Sequence, residues 1–255
     1  GMSAARQPAA ALGVDLGTSG VRAAALAEDG TLLDIAASPF ADAAASRSPA
    51  AWWDGVRTCL ATLSARLSLS DVRCLAVDGT SGTVLAVDRA QDPVGGVLMY
   101  NDPCPDAAIV ERIAAHAPAD SPARGASAAL ARAIHLSRRD GVARIVHQAD
   151  WILLKLGLET ATSDENNALK TGYDLEAERW PGWIADSGME IALLPEVLRA
   201  GQPVSPVGAA ARTFGLPADC IIHAGTTDGC ASFLATGASA AGDGVTALGS
   251  TLVVK

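Results

Sequence analysis

Four short segments repeat one pattern, an apolar run that ends in glycine followed by serine or threonine. They are Asp15-Leu16-Gly17-Thr18-Ser19-Gly20, Asp78-Gly79-Thr80-Ser81-Gly82, Gly225-Thr226-Thr227-Asp228-Gly229 and Leu248-Gly249-Ser250-Thr251. Each offers a residue without Cβ, exposed backbone N–H groups and small hydroxyls, which suits close approach to phosphate or sugar oxygens. Three of the four also carry an aspartate beside the glycine. Asp15, two residues before the first glycine, stands where a carboxylate would hold Mg2+, directly or through water, opposite a γ-phosphate. Any one such loop is an ordinary turn after a strand. Four of them, three with carboxylates, point to a shared polar cleft. The first loop is no Walker motif, since Gly-Lys-Ser/Thr is absent from the chain. Nor does it open a helix in the dinucleotide-binding manner, because Gly17 and Gly20 fall in a hairpin turn.

The elements that must carry these loops follow from spacing. Leu12–Gly17, Val21–Ala27 and Thr31–Ala37 read as a strand meander broken by Glu28-Asp29-Gly30. Alanine-rich Ala23–Leu26 has helical propensity, but the stretch between its turns suits a strand. Ser48-Pro49 is an N-cap followed by proline at the first helical position. It predicts a helix to Leu67 with Trp52, Trp53, Val56, Leu60 and Leu63 at helical spacing. Strands are expected at Arg73–Asp78, Val84–Asp88 and Val97–Asn101, and helices at Cys104–His116, Ser127–Asp140 and His147–Leu156. Residues 176–206 read as irregular. A strand at Cys220–Ala224, a helix at Asp228–Thr236 and a strand at Val245–Leu248 complete an α/β pattern.

Composition narrows the function. The chain has 255 residues, 49% of them hydrophobic and 4% aromatic, with a net charge of −9. That length can bury a full core as one large domain or two small ones. The acidic balance argues against nucleic acid as the main partner, because phosphate backbones require a basic footprint. An anionic ligand must be held locally, by backbone N–H groups or a metal. No apolar run reaches the length of a membrane span. The five cysteines, Cys59, Cys74, Cys104, Cys220 and Cys230, include no Cys-x-x-Cys pair. This favours neither a zinc site nor a disulfide framework, and a reducing cytoplasm is expected. Gly1-Met2 reads as a cloning remnant before the native methionine, and Ser3–Ala11 lacks the layout of a signal peptide.

Asp15-x-Gly-Thr-Ser-Gly-x-Arg22 after a strand, followed by a meander, resembles the first phosphate motif of the actin and sugar-kinase superfamily. More specifically, the chain is similar to the FGGY carbohydrate kinases. Trp52-Trp53 on the first helix, Asp78-Gly-Thr-Ser-Gly-Thr83, Tyr100-Asn101-Asp102, Gly225-Thr-Thr-Asp228 and Leu248-Gly-Ser-Thr251 follow in the family's order. Within the family the D-ribulose kinase branch is the nearest likeness, through Asp78-Gly-Thr-Ser81, His147-Gln-Ala-Asp-Trp151, Asn166-Asn-Ala-Leu-Lys170-x-Gly-Tyr-Asp174 and the last two motifs. Xylulose kinases would be expected to show Gln-Met-His where this chain has Gly79-Thr80-Ser81.

The resemblance implies an actin-like (ribonuclease H-like) α/β fold, a mixed sheet with helices, forming the N-terminal domain of a two-domain sugar kinase. It implies ATP-dependent phosphorylation of a ketopentose, D-ribulose to D-ribulose 5-phosphate, with D-xylulose or a pentitol as the alternative substrate. A non-catalytic sugar-binding or regulatory fragment is the alternative of another class. Asp228 would be the catalytic base, accepting the proton of the attacking sugar hydroxyl; as a plain structural residue it would cap the helix that follows. Asp15, Thr80, Ser81 and Asp228 would contact the sugar, Asp15 would also orient Mg2+, and Gly17, Thr18, Ser19, Gly249, Ser250 and Thr251 would hold the nucleotide phosphates. Without that chemistry Asp15 is a turn residue, and Thr80 and Ser81 are turn hydroxyls. Asn101 and Asp102 make a good turn on their own. Lys170 reads as a solvated lysine that could also offset phosphate charge. His147 reads as a helix start, Arg132, His135, Arg138 and Arg139 as a basic, solvent-facing helix side, and Trp151, Trp180 and Trp183 as core.

The domain boundaries expected are 9–241 for the sugar-binding and catalytic domain and 242–255 for the first strand of a nucleotide-binding domain, with the chain truncated after Lys255 and inactive alone. An unpaired apolar terminal strand invites association, so a homodimer is an option.

Overall fold

The computed structural model describes residues 7–225. The expected helix at 228–236, the strand at 245–248 and the domain boundary near 241 lie outside them.

The meander forms as expected, with β1 (Ala9–Leu16), β2 (Gly20–Ala27) and β3 (Leu32–Pro39) pairing antiparallel in sequence order. A short turn α1 (Ala43–Ser46) leads to α2 (Pro49–Arg66), capped by the Ser48 hydroxyl accepting from Ala51 N–H. Then come β4 (Cys74–Asp78), β5 (Val84–Val87) and β6 (Pro93–Leu98). The helices α3 (Ala107–His116) and α4 (Ala129–Ser137) precede β7 (Arg144–His147) and α5 (Gln148–Leu156). Short pieces follow: β8 (Thr162–Asp164), α6 (Glu165–Leu169), α7 (Trp183–Asp186), a 3-10 turn at Ile191–Leu193, β9 (Glu196–Leu198), β10 (Pro203–Pro206), α8 (Ala209–Arg212) and β11 (Ile221–His223).

The main sheet runs β10-β11-β4-β1-β2-β3. β1 and β4 are central, parallel to each other and buried on both faces, so they read as nearly continuous apolar runs. Edge strand β3 is mostly exposed or half-buried. The alanines of β2 become strand because context outweighs propensity. Small side chains there let α2 lie close against the sheet. At the closest point a Cβ on Gly55 would fall 2.6 Å from Val21 Cγ2, so only glycine fits. Trp52 is fully buried, its indole N–H donating to Ser46 O at 2.8 Å and its ring edge-on to Trp151 at 6.3 Å.

A second sheet, β6-β5-β7, separates two cores. Leu85 and Val87 of β5 face the first, under the main sheet, and Val84 and Ala86 face the second, built on α3 and α4. β8 and β9 form a small parallel pair.

Several expectations shift. The strand expected at 97–101 is β6, displaced toward the N-terminus. Pro93 occupies the first position of an edge strand, and Gly95 at φ 73° bends it, so neither broke the strand as punctuation would suggest. Tyr100 and Asn101 lie in the turn that follows. β7 runs straight into α5, and its four residues were hidden by the helical pattern after them. The stretch 176–206, read as irregular, contains the very short β9 and β10.

Candidate active site

β1, β4 and β11 are neighbouring parallel strands, so their carboxyl ends lie along one edge of the sheet. Two of the four repeated loops, Gly17–Gly20 after β1 and Gly79–Gly82 after β4, therefore lie at one edge, and Gly225 after β11 stands at the same edge. The crevice beyond the carboxyl ends of parallel strands is the usual ligand position in open α/β sheets. The fourth loop, with Gly249, Ser250 and Thr251, lies outside the described residues, as does Asp228.

Register places the charges. Asp15 pairs with Asp78 across β1 and β4, and with Arg22 across β1 and β2. Cross-strand partners project from the same face, so Asp78, Asp15 and Arg22 form a row of two carboxylates and a guanidinium. Asp15, Arg22, Thr18 and Ser19 line a cleft of about 320 Å³ with Gly17 and Pro39. The first loop closes by a 2.9 Å bond from Gly17 N–H to Gly20 O. Its two glycines differ in purpose. A Cβ on Gly20 would press to 2.6 Å from Ser38 O, so packing demands glycine there. A Cβ on Gly17 would meet only Gly20 O, at 3.8 Å. Packing leaves Gly17 free to be another residue, and the space above it suits an approaching ligand. A divalent cation that keeps most of its bonds to water and phosphate needs only one or two protein carboxylates. The Asp15–Asp78 pair fits that requirement, although no group of three or more His, Cys, Asp or Glu is gathered among the described residues.

The second loop is held from beneath. Gln148, at the start of α5 and buried, accepts from Thr80 N–H and from the Thr80 hydroxyl, both at 2.8 Å. Thr83 stands 2.6 Å from the Thr80 hydroxyl and accepts from Tyr100 N–H. Thr80 and Ser81 remain half-buried at the surface of the loop. Lys170 is exposed, as expected, with its stem passing beside Gly82. Asp102 accepts from Met99 N–H at 2.7 Å and pairs with Arg47. Partial burial works against its charge, yet these two partners and the nearby Arg132 hold its pKa below the usual carboxylate range.

Arg132 corrects the expected solvent-facing basic side of its helix. It is 1% exposed, and its guanidinium donates to the carbonyls of Gly82, Asp102 and Ser127. Arg138 and Arg139 are exposed as expected, and His135 is half-buried. The helical period alone placed the four together. The inward turn of Arg132 follows from carbonyls on two distant loops, which no local pattern reveals. Gln148 was likewise missed as a support of the second loop.

His147 is the N-cap of α5, as expected, but it is also the centre of a buried polar cluster. Its Nδ1 faces Asp150 at 2.7 Å and Ser163 at 3.0 Å, and Nε2 faces Thr171 Oγ1 at 2.9 Å. Burial opposes its charge, but Asp150, with help from Asp164, raises its pKa above the ordinary histidine value. A raised folded-state pKa stabilises the protein fully below the unfolded value of about 6.5, and that contribution is lost as pH rises through the folded value. We therefore expect the melting temperature of the wild type to decline on going from pH 6 to pH 9 by more than that of His147→Gln. The check is melting temperature against pH by circular dichroism, and equal declines for wild type and His147→Gln would overturn the expectation by showing that His147 gains no proton on folding.

Trp151 is core, and Trp180 and Trp183 pack partly buried against the second core. Burial pushes the Cys59 thiol up to about 11 and the Cys220 thiol up to about 12, which disfavours the thiolate of either at neutral pH. No helix among the described residues is long and apolar enough to cross a membrane.

The fold is shared with sugar kinases. A xylulose kinase from Lactobacillus acidophilus superposes with a TM-score of 0.72 at 14% identity, over 89% of this chain and 50% of that one. A xylulose kinase from Rhodospirillum rubrum gives 0.71 at 24% identity, over 89% and 50%. A glycerol kinase from Plasmodium falciparum, solved with ADP, gives 0.67 at 12% identity, over 92% and 51%. The chain thus spans about half the length of these structures, and their likeness establishes the actin-like N-terminal fold. The family model for the N-terminal domain of the FGGY carbohydrate kinases matches residues 10–121, from β1 through the first two loops and α3. By that match residues 10–121 are similar to the N-terminal domain of the FGGY family of carbohydrate kinases, and by the superpositions the described chain shares its fold with sugar kinases.

Proposed function

We propose that this chain supplies the sugar side of an ATP-dependent ketopentose kinase that converts D-ribulose to D-ribulose 5-phosphate. The observation that carries the reading is the meeting of Asp15 and Asp78, in register on adjacent parallel strands, with the Gly17–Gly20 and Gly79–Gly82 loops at one sheet edge. Phosphoryl transfer asks mainly for positioning and charge neutralisation. In this reading Asp15 holds Mg2+, which offsets charge on the transferred phosphoryl group. Gly17, Thr18 and Ser19, with Gly249, Ser250 and Thr251, hold the nucleotide phosphates. Thr80 and Ser81 hydrogen-bond sugar hydroxyls, and Asp228 takes the proton of the hydroxyl that attacks the γ-phosphorus.

D-xylulose is the second reading, favoured by the xylulose kinases among the similar structures. The residues Gly79-Thr80-Ser81 favour D-ribulose. The test is ADP release by the complete protein carrying this chain, with D-ribulose, D-xylulose and pentitols in parallel. The expected result is a kcat/KM for D-ribulose at least about tenfold above the others, a difference of about 1.4 kcal/mol in transition-state binding. A reversed order assigns D-xylulose. No turnover with any of them, together with retained sugar binding, leaves a non-catalytic sugar-binding protein.

A further inference from the structure

The hydroxyl of Thr80 has a fixed polarity. The carbonyl oxygen of Gln148 cannot donate, so the 2.8 Å contact from the Thr80 hydroxyl uses Thr80's one proton. In the 2.6 Å Thr80–Thr83 pair the proton must then come from Thr83, whose oxygen in turn accepts from Tyr100 N–H at 3.0 Å. The Thr80 backbone N–H, also bound to the Gln148 carbonyl at 2.8 Å, fixes which end of the amide faces the loop. What remains on the Thr80 oxygen is one lone pair, on a half-buried residue at the cleft-forming loop.

Gln148 itself is 1% exposed, and its Nε2 has no hydrogen-bond partner among the described residues. A buried amide with an unsatisfied donor is unfavourable to keep in a core. Methionine or leucine would fill the same volume without it. The only hydrogen bonds that its side chain makes among those described go to Thr80. A Cβ on Gly79 beside it would fit only tightly, 3.1 Å from both Gln148 Oε1 and Ala149 N, so the loop sits directly on this amide.

We infer that Gln148 is a positioning residue that turns the Thr80 hydroxyl into an acceptor, so that the sugar must present a hydroxyl, and not its keto oxygen, to Thr80. This rests on the proposed sugar-kinase reading and adds the polarity of one contact to it. A keto oxygen offers only lone pairs and cannot pair with Thr80 in this state, whereas a hydroxyl can donate.

The test is sugar binding to the 255-residue chain by ligand-observed NMR titration with D-ribulose and with D-xylulose. Four variants are compared with the wild type: Gln148→Met, Gln148→Glu, Thr80→Val and the double Gln148→Met/Thr80→Val, each first checked for an unchanged melting transition. Gln148→Met should weaken binding of the preferred pentulose about tenfold when Thr80 is present and by less than about twofold in the Thr80→Val background, the non-additivity expected of residues acting through one hydrogen bond. Gln148→Glu keeps both acceptor bonds, and its affinity should stay within about threefold of wild type. Equal losses in the two backgrounds, or a folded Gln148→Glu as weak as Gln148→Met, would overturn the inference while leaving the sugar-kinase reading intact. A folded wild-type chain that binds neither pentulose would overturn both.

Discussion

Replacing Asp228 by alanine is expected to lower kcat for sugar phosphorylation by about a thousandfold or more, the scale of losing a positioned general base, while sugar binding is largely retained. β11 ends at His223, and Gly225 at φ 87° turns the chain at the same edge as the loops after β1 and β4. The positive φ favours glycine there, and an added Cβ would press to 3.0 Å from Ala200 Cβ. Asp228 follows three residues later. A helix-capping role makes a different prediction. Asparagine and serine cap helices about as well as aspartate, but neither takes a proton at neutral pH. Asp228→Asn and Asp228→Ser should therefore be as inactive as Asp228→Ala. Recovery of turnover in the serine variant would identify Asp228 as a cap and remove it from the chemistry.

Arg132→Met is expected to destabilise the fold strongly, by roughly 3–5 kcal/mol, because buried carbonyls built around the guanidinium are left unsatisfied at about 1–3 kcal/mol each. Three carbonyls, of Gly82, Asp102 and Ser127, would lose their donor in a site closed to water. For a chain of this size that corresponds to a fall in melting temperature of roughly 10 °C. Arg132→Lys should recover little of it, since one ammonium cannot reproduce a planar fork aimed at three oxygens. The measurement is thermal or urea unfolding by circular dichroism. A loss below about 1 kcal/mol would mean that the loops after β4 and β6 hold their positions without the guanidinium.

Local patterns carried the meander, α2 and the parallel strands. The caps, the turn at Glu28–Gly30 and the apolar runs there act within a few residues. The four loops were legible for the same reason, and so was the idea that they share a cleft. Their meeting depends on strand order, and the side-by-side placement of Asp15 and Asp78 depends on register between segments some sixty residues apart. Gln148 and Arg132 were not recognised because their partners, Thr80 and the carbonyls of Gly82 and Asp102, are remote in sequence. The helical period explained Arg132 adequately as a surface residue, and nothing local contradicted it. β6 was misplaced because Pro93 and Gly95 punctuate most chains but are tolerated on an edge strand.

The register of β1 against β4 makes function a measure of folding fidelity. A slip of one residue in that pairing would turn Asp78 to the opposite face of the sheet and separate it from Asp15. Both strands lie in the middle of the sheet, where pairing is made cooperatively with their neighbours and not by a mobile lid. The carboxylate pair therefore comes into being only when the central sheet closes correctly. Partly folded or misregistered chains, however compact, lack it, and if the pair serves as proposed, conditions that loosen the sheet should abolish cation and sugar affinity together, without an intermediate that keeps one and loses the other.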